Sequence, residues 1–464
     1  MSGGFSSLNT ALSALRYNRV AMDVAGANIA NVSSEGYARR RVEGAAVAGP
    51  SQPALWTRYD GTGDGVSVTG VTRMTDELLN VRGRREHGNQ AYLDVRQASL
   101  ERVENGVGEP GDAGVAASLA ELRTAWHALS LSPTSESARA QVLSSARNVV
   151  DAIGVQARNV ESEAGDVRVN VLNDVSEANT VAKGLANTNR AIAAGTLNGS
   201  DVGVLLDKRD QLTTRLAELT GAKATVRSDG GADVTVNGVP LVTGSQAGSL
   251  TVASGVTPSG DSDGAPVTFA IVDASGATTV PPGIGGELGG LGDLLATTLP
   301  AYLTGLGAVA KDLADGVNAQ HQAGYDAAGT AGTALFSYDP ADVLGTLSVA
   351  ITDPRLVAAS SVPGGGTDVG NAEALATRPG VEGAYQRLVN GLGTEVVESG
   401  RRAANQQVLT GQVDGAREQL SGIDLDEEMV NMISAQRAYE AASRVMTTVD
   451  SLLDTLINRT GLGR

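Results

Sequence analysis

Residues 425–457 read LDEEMVNMISAQRAYEAASRVMTTVDSLLDTLI, and their apolar members Leu425, Met429, Met432, Tyr439, Met446, Leu453 and Ile457 recur at gaps of three, four or seven. Such spacing draws one apolar stripe along an α-helix, a seam that needs a partner helix. The opposite end of the chain carries its counterpart: Phe5, Leu8, Leu12, Leu15, Met22 and Ile29 fall on one stripe in the same way. Two seams at the two ends predict that the ends meet and build one structure. Burial along a single seam does little more than offset the backbone entropy lost on ordering so long a segment. One reading is therefore that both segments order on assembly with further copies. The other is that they close an ordinary core within one chain, and the pattern alone leaves both open.

Composition narrows the class. At 464 residues the length suggests about three domains. A net charge of −17 disfavours binding to nucleic acid or to an anionic membrane surface. No run of eighteen apolar residues suggests a membrane span, and the N-terminus reads as lacking an ordinary signal peptide. Cysteine is absent, which removes disulfides, thiolate metal sites and a cysteine nucleophile. Charge is uneven: residues 1–50 hold five Arg against three acids, whereas residues 423–464 hold seven acids against four Arg. Opposite signs favour pairing of the ends, although exposed ion pairs contribute only about 0–1 kcal/mol each.

A pass along the chain predicts a first helix over 4–32, stopped near Gly36, and a short strand at Val66, Val68 and Val71. From Asp76 to Thr220 the chain reads helical. Within that stretch Val142, Val149, Ile153, Val160, Val167 and Val171 keep a coiled-coil beat, and ~50 residues of helix would make a rod of about 75 Å. The period then switches. Val234 and Val236, Asn237-Gly238, then Val239 and Leu241 predict a hairpin with a type I′ turn, and Val267, Phe269 and Ile271 another strand. Helix returns at Leu288–Val317, where Pro300 should kink or restart it. A Gly-rich segment, 324–371, carries a strand at Leu347, Val349 and Ile351, and residues 363–366 read as a linker. Helix resumes over 371–420, with Tyr385, Leu388 and Leu392 on one face. Asp424 is placed to cap the last helix, with Asp426, Glu427 and Glu428 complementing its dipole.

These elements define an expected fold class: mainly α with a β-rich insertion, elongated and multidomain. Residues 1–32 and 424–464 form a terminal-helix coiled coil; 33–222, 286–322 and 372–423 an elongated helical domain; 223–285 and 323–371 a β-rich domain.

Catalytic chemistry finds little support. The three histidines, His87, His127 and His321, are out of helical reach of one another, and His127 beside Trp126 reads as packing or surface. No HExxH, GxSxG or P-loop pattern is present, and the glycines of 283–292 lack the GxGxxG spacing. Residues 60–65 superficially resemble a calcium loop without its acids at the third and twelfth positions. Asp207, Asp210 and Glu218 beside Lys208 and Arg209 read as a solvated ion-pair face. No catalytic, cofactor or metal residues are assigned; the assigned site is the assembly seam of the thirteen apolar residues named above.

The stretches Ser6-Ser7-Leu8-Asn9-Thr10-Ala11-Leu12, Val24-Ala25-Gly26-Ala27-Asn28-Ile29-Ala30-Asn31-Val32 and Ala435-Gln436-Arg437-Ala438-Tyr439-Glu440-Ala441-Ala442 resemble the flagellar rod, hook and hook-associated axial family. Gly36-Tyr37-Ala38-Arg39-Arg40 is similar to the Gly-Tyr-Ser-Arg-Gln signature of its hook-associated branch, and Asp426-Glu427-Glu428 to an acidic triplet there. Leu206-Asp207-Lys208-Arg209-Asp210-Gln211-Leu212, Gly285 to Leu291, Leu299 to Leu303 and His321 to Tyr325 extend the likeness through the middle. It is weakest over 245–280 and 324–371.

The resemblance implies a structural, non-enzymatic subunit, exported through the flagellar type III channel and joining hook to filament as a junction ring. It implies terminal helices in an inner tube, a helical domain outside them and a β-rich domain outermost. Implied partners are further copies, the flagellar hook protein, hook-associated protein 3 and an export chaperone on the C-terminal helix. Alternatives are a distal rod or hook subunit, an enzyme housed in the β-rich insertion, or an adhesin using that domain.

Overall fold

A computed structural model describes residues 2–47, 65–364 and 366–459, with side chains throughout except at 2–6 and 456–459. Helix α1 (Ser2–Ala30) turns through Gly36, at φ +72°, into an antiparallel hairpin of β1 (Arg40–Ala46) and β2 (Val66–Arg73). The calcium-loop-like run 60–64 lies outside the described residues. Asp76 caps α2 (Glu77–Val107) by accepting from the N–H groups of Leu78 and Leu79. Helix α3 (Val115–Leu131) follows, then α4 (Glu136–Leu197), whose Ser135 cap accepts from Ala138 N–H. At 62 residues α4 is about 93 Å long, longer than the rod the beat predicts. Helix α5 (Gly203–Thr220) ends at Gly221, in the left-handed conformation.

Two small sheets come next. The first is β3 (Lys223–Val226), β4 (Ala232–Val236), β5 (Val239–Thr243) and β6 (Gln246–Ala247), paired in that order; the second is β7 (Ser249–Ser254), β8 (Thr268–Val272) and β9 (Thr278–Thr279). Asn237 at φ +46° and Gly238 at φ +87° make the expected left-handed turn between β4 and β5. Helix α6 (Gly286–Asp293) then runs without a break through one π-turn, 294–298, into α7 (Leu299–Gln322). The π-turn is the chain's answer to Pro300: Leu299 N–H reaches back to Leu294 C=O, and the proline enters a fresh first turn where its missing N–H is not needed. After β10 (Phe336–Ser337), α8 (Val343–Thr346) and β11 (Ser348–Val349) come α9 (Gly370–Thr377), α10 (Glu382–Ser421) and α11 (Leu425–Arg459). The helix expected to run unbroken over 371–420 is interrupted at Arg378-Pro379-Gly380, where proline and glycine together stop α9.

Helix α4 is the spine. Val142, Val149, Ile153, Val160, Val167 and Val171 are all 0–1% exposed, so the coiled-coil beat marks a buried stripe along its length. Two cores share that stripe. The first half packs with Leu100 and Val103 of α2, Trp126 and Leu129 of α3, Leu306 of α7 and Tyr385 of α10. The second half packs with Leu216 and Leu219 of α5, Leu288 of α6 and the sheet residues Val234, Leu241, Leu250 and Ile271. Leu335, Phe336, Leu347 and Ile351 join the first core, whereas the strands of 223–279 join the second. The two β-rich segments that the sequence groups together therefore pack into different cores. Hydrophobic alternation identifies a strand but not the helix face that covers it.

His321 shows how tightly the segment after α7 is held. Its ring is fully buried; Nε2 accepts the Ala358 N–H at 2.8 Å, so Nδ1 carries the proton and donates to Thr333 C=O at 2.5 Å. Burial holds its protonation below the ordinary imidazole range. A proton on Nε2 would oppose the Ala358 N–H, so the folded state takes up a proton less readily than the unfolded chain. The stabilisation from His321 is complete above the ordinary imidazole range and is lost as pH falls below it through the depressed folded value. The urea midpoint of the wild type should therefore drop between pH 7.5 and pH 5 by more than that of His321→Asn, as followed by circular dichroism.

Candidate assembly interface at the paired chain ends

The first and last helices lie antiparallel: Asn28, near the end of α1, meets Glu428, near the start of α11, and Gly26 faces Met432. The facing line is made of small residues, with Ala11 and Ala25 of α1 and Ala435 and Ala442 of α11 buried. Small side chains let the helix axes approach closely, but they leave the large ones to either side.

Of the predicted seam, Leu8, Leu12, Leu15, Met22, Ile29, Met432, Met446 and Leu453 are half-buried, and Leu425, Met429 and Tyr439 are exposed, Met429 by 51%. Phe5 and Ile457 fall outside the described side chains. Exposed Ile433 belongs with Leu425 and Met429. At 3.6 residues per turn these three follow an edge roughly a third of a turn from the Ala435–Ala442 line. Ile433 escapes a strict heptad count because it continues a four-residue gap. The helix pair thus buries one line of contact and leaves a second apolar edge of α11 unburied.

A polar clasp holds the pair where α1 ends and α11 begins. Asn28 is fully buried and fully used: its Nδ2 donates to Glu428 Oε2 and to Arg40 C=O, both at 2.9 Å, and its Oδ1 accepts from Arg40 N–H and the Tyr37 hydroxyl, both at 3.0 Å. Arg39 faces both acids of the last helix. Its Nε and Nη2 lie 2.8 and 2.7 Å from Glu428 Oε1, and Nη2 and Nη1 lie 2.8 and 3.1 Å from the two Glu427 oxygens. Those hydrogen bonds raise the Arg39 guanidinium above its ordinary range, and Arg39 holds the Glu427 carboxyl below the usual carboxylate range. The backbone joins in, with Arg39 N–H donating to Ser421 C=O at 3.0 Å and Met74 N–H to Arg39 C=O at 2.8 Å. Asp424 does cap α11, accepting from Asp426 and Glu427 N–H at 2.9 and 3.2 Å. Glu427 and Glu428, expected to serve the helix dipole, instead reach across to the other end of the chain.

The clasp continues into the body. Arg40 packs over the Tyr37 ring at 5.0 Å and meets Asp207 at 3.2 Å; Arg73 contacts Asp207 and Asp210 at 2.7 and 2.8 Å; Arg209 pairs with Asp210 at 2.5 Å. Asp207, Arg209 and Asp210 are buried, which corrects the expectation of a solvated face. Sequence spacing shows only that they share a helix; their partners, Arg40 and Arg73, lie at the base of the hairpin, far away in sequence. Glu218 does not join them and sits instead against Arg215 and His87. His127 is exposed, and among the described residues no group of His, Asp and Glu has the arrangement of a metal site.

The helical body thus carries two chain ends that pair beside it, clasped at the base and apolar along the free edge. Residues 100–336 match the model of the flagellar hook-associated protein FlgK helical domain, residues 418–459 that of the flagellar basal body rod FlgEFG protein C-terminal region, and residues 8–37 that of the flagella basal body rod protein. The chain belongs to the FlgK family of flagellar hook-associated proteins. Flagellar hook-associated protein 1 of Bacillus subtilis is 27% identical over the full length of both chains, and that of Escherichia coli 24% identical over 98% of this chain and 99% of the relative. The fold resembles the flagellar hook junction protein FlgK from Burkholderia pseudomallei, with a TM-score of 0.64 at 17% identity, covering 75% of this chain and all of that one. The chain is a structural component of the bacterial flagellum, and it assembles with other flagellar components.

Removing the Arg39 guanidinium strands the buried Glu428 carboxylate. Arg39→Ala should cost about 3–5 kcal/mol of local stability. Arg39→Lys should recover only part of it, because a single ammonium does not span two carboxylates. Hydrogen exchange should rise across 425–442 and stay unchanged in α4.

Proposed function

We propose that the chain joins hook to filament as a junction ring, polymerising through its terminal helices. The observation that carries this is the second apolar edge, Leu425, Met429 and Ile433, on a helix already paired with α1. An edge of that size on a lone subunit is an interaction surface, and in a ring of copies it faces the next helix pair. The partners are neighbouring copies, the hook protein on one side and hook-associated protein 3 on the other. Within this reading residues 1–32 and 424–464 are the tube-forming domain, and the helical and β-rich parts lie outside it. The role is structural rather than catalytic.

Export shapes the same surface. The chain travels through the flagellar type III channel to its extracellular place, and a chaperone covers Met429, Met432, Tyr439 and Met446 until then. Lack of cysteine suits a protein that refolds outside a reducing compartment. The match of both ends to rod-protein models supports a rod or hook subunit as a second reading, but residues 100–336 favour the hook-associated branch.

A deletion strain separates the two readings. Electron micrographs should show complete hooks without filaments, with filament protein lost to the medium; truncated rods without hooks would instead place the subunit lower in the axis. Leu453→Asp puts a charge at a half-buried seam position and should abolish filament attachment, with at least a tenfold loss of motile cells. The urea unfolding of the helical body should stay at wild-type values in the same variant.

A further inference from the structure

Arg39 and Arg40 are successive residues at the entrance to β1, and the ladder runs through both: Met74 N–H donates to Arg39 C=O at 2.8 Å, next to the pairing of Arg40 with Arg73. Successive side chains of an extended chain point to opposite faces. Arg39 accordingly grips the start of α11, whereas Arg40 turns to Asp207 of α5 at 3.2 Å and to Asp201, in the turn between α4 and α5, at 3.5 Å. The first turn of α11 and the α4–α5 turn therefore flank the base of the hairpin on its two sides. Each flank carries apolar side chains that the subunit leaves uncovered. On the α11 side Leu425, Met429 and Ile433 are 45–51% exposed; on the other, Leu197 is 87% exposed and Val204 67%.

The charges beside these side chains are opposite in sign and unspent. Asp426 falls about 20° round the helix from Ile433, so it lies within the α11 edge. Glu427 and Glu428 are taken by Arg39, but the Asp424 carboxylate accepts only from backbone N–H groups, and Asp426 has no basic partner among the described residues. Across the hairpin, Lys208 stands one turn after Val204 on α5, and Arg190 two turns before Leu197 on α4. Both are exposed, and neither meets a carboxylate among the described residues; Arg190 donates to Asn187 Oδ1 and Ser245 C=O, at 3.4 and 3.3 Å. The acid in the turn itself, Asp201, is engaged by Arg40 and by the Gly203 N–H at 2.8 Å.

We propose that the α11 edge of one copy seats on the Leu197–Val204 knob of the next, with Asp424 and Asp426 meeting Arg190 and Lys208. This rests on the junction reading above and names the surface that receives the edge. Charge disfavours self-pairing of the edge: Leu425 to Ile433 is only about 12 Å of helix, so two edges laid together would bring two acidic first turns close to each other. Contact between different flanks is heterologous. It leaves every copy an edge and a knob to offer, and it repeats from copy to copy into a ring or a helix. One such contact is small and screened by salt; closure around a ring is what makes it hold. The knob is fixed to the clasp, since a Cβ on Gly203 would come within 2.8 Å of Arg40 Cζ.

Because the chain has no cysteine, introduced thiols report the contact directly. In a strain lacking the wild-type gene, full-length Val204→Cys and Met429→Cys chains are co-expressed, and isolated hook–filament structures are treated with a short bis-maleimide. The mixture should yield a dimer and neither variant alone should; the double variant should run as a ladder of multimers. A dimer from Met429→Cys alone would mean self-pairing, and monomer only from filament-bearing cells would mean that the edge seats elsewhere; either would overturn the proposal. Hooks and filaments that do not contain the chain at all would overturn the junction reading, and this contact with it. Charge reversal is the second readout. Lys208→Glu and Asp426→Lys should each cut the number of filament-bearing cells roughly tenfold, and the two together should restore it. Loss without restoration would point to a weakened start of α11 rather than to paired charges, and would overturn the proposal as well.

Discussion

The contact on which the arrangement of this molecule depends is the one between Asn28, Arg39 and Glu428. It brings residues 400 positions apart in sequence to within hydrogen-bond distance at 2.9 Å. Closing so long a loop has an entropic cost that no single contact offsets, so the clasp works only because the body has already brought its two strands of chain together. Helices α2 and α10 lie side by side and deliver the base of the hairpin and the start of α11 to the same place. The clasp then fixes direction. Asn28 uses every donor and acceptor it has, which leaves α1, the hairpin and α11 a single mutual geometry. A buried polar network of this kind adds specificity more surely than stability.

Division of labour follows from where apolar surface lies. Helix α4 gives its valines to two internal cores and is finished within one chain. Helices α1 and α11 spend their alanines on each other and keep an unburied apolar edge. The core of the body and the terminal helix pair therefore draw on separate apolar surface. Between them run α2 and α10, anchored in the first core by Leu100, Val103, Tyr385 and Leu392.

The sequence made the regular elements legible because they rest on local physics. The four- and seven-residue gaps of the α4 valines, the Asn237-Gly238 turn and the Asp424 cap each state their structure within a few residues, and each is found. What the sequence hid was partnership. Asp207 and Asp210 read as exposed because their arginines come from the hairpin 134 and 137 positions away. Glu427 and Glu428 read as dipole partners because the local explanation was sufficient. Pro300 announced a disturbance but not its form, since a π-turn absorbs the missing N–H as well as a break would. The two ends do pair as α1 and α11, whereas the two β segments enter separate cores.

Had the heptad residues of α1 and α11 faced each other squarely, the pair would have consumed the whole stripe and left nothing for a neighbour. Facing through alanines instead, the pair buries those fully and the larger seam residues only in part. The same small residues that narrow the intramolecular contact therefore leave apolar surface unburied on α11. Enlarging Ala25 or Ala435 would shift that division in a definite direction, wedging the two helices apart and reducing the shared surface that a docking copy meets.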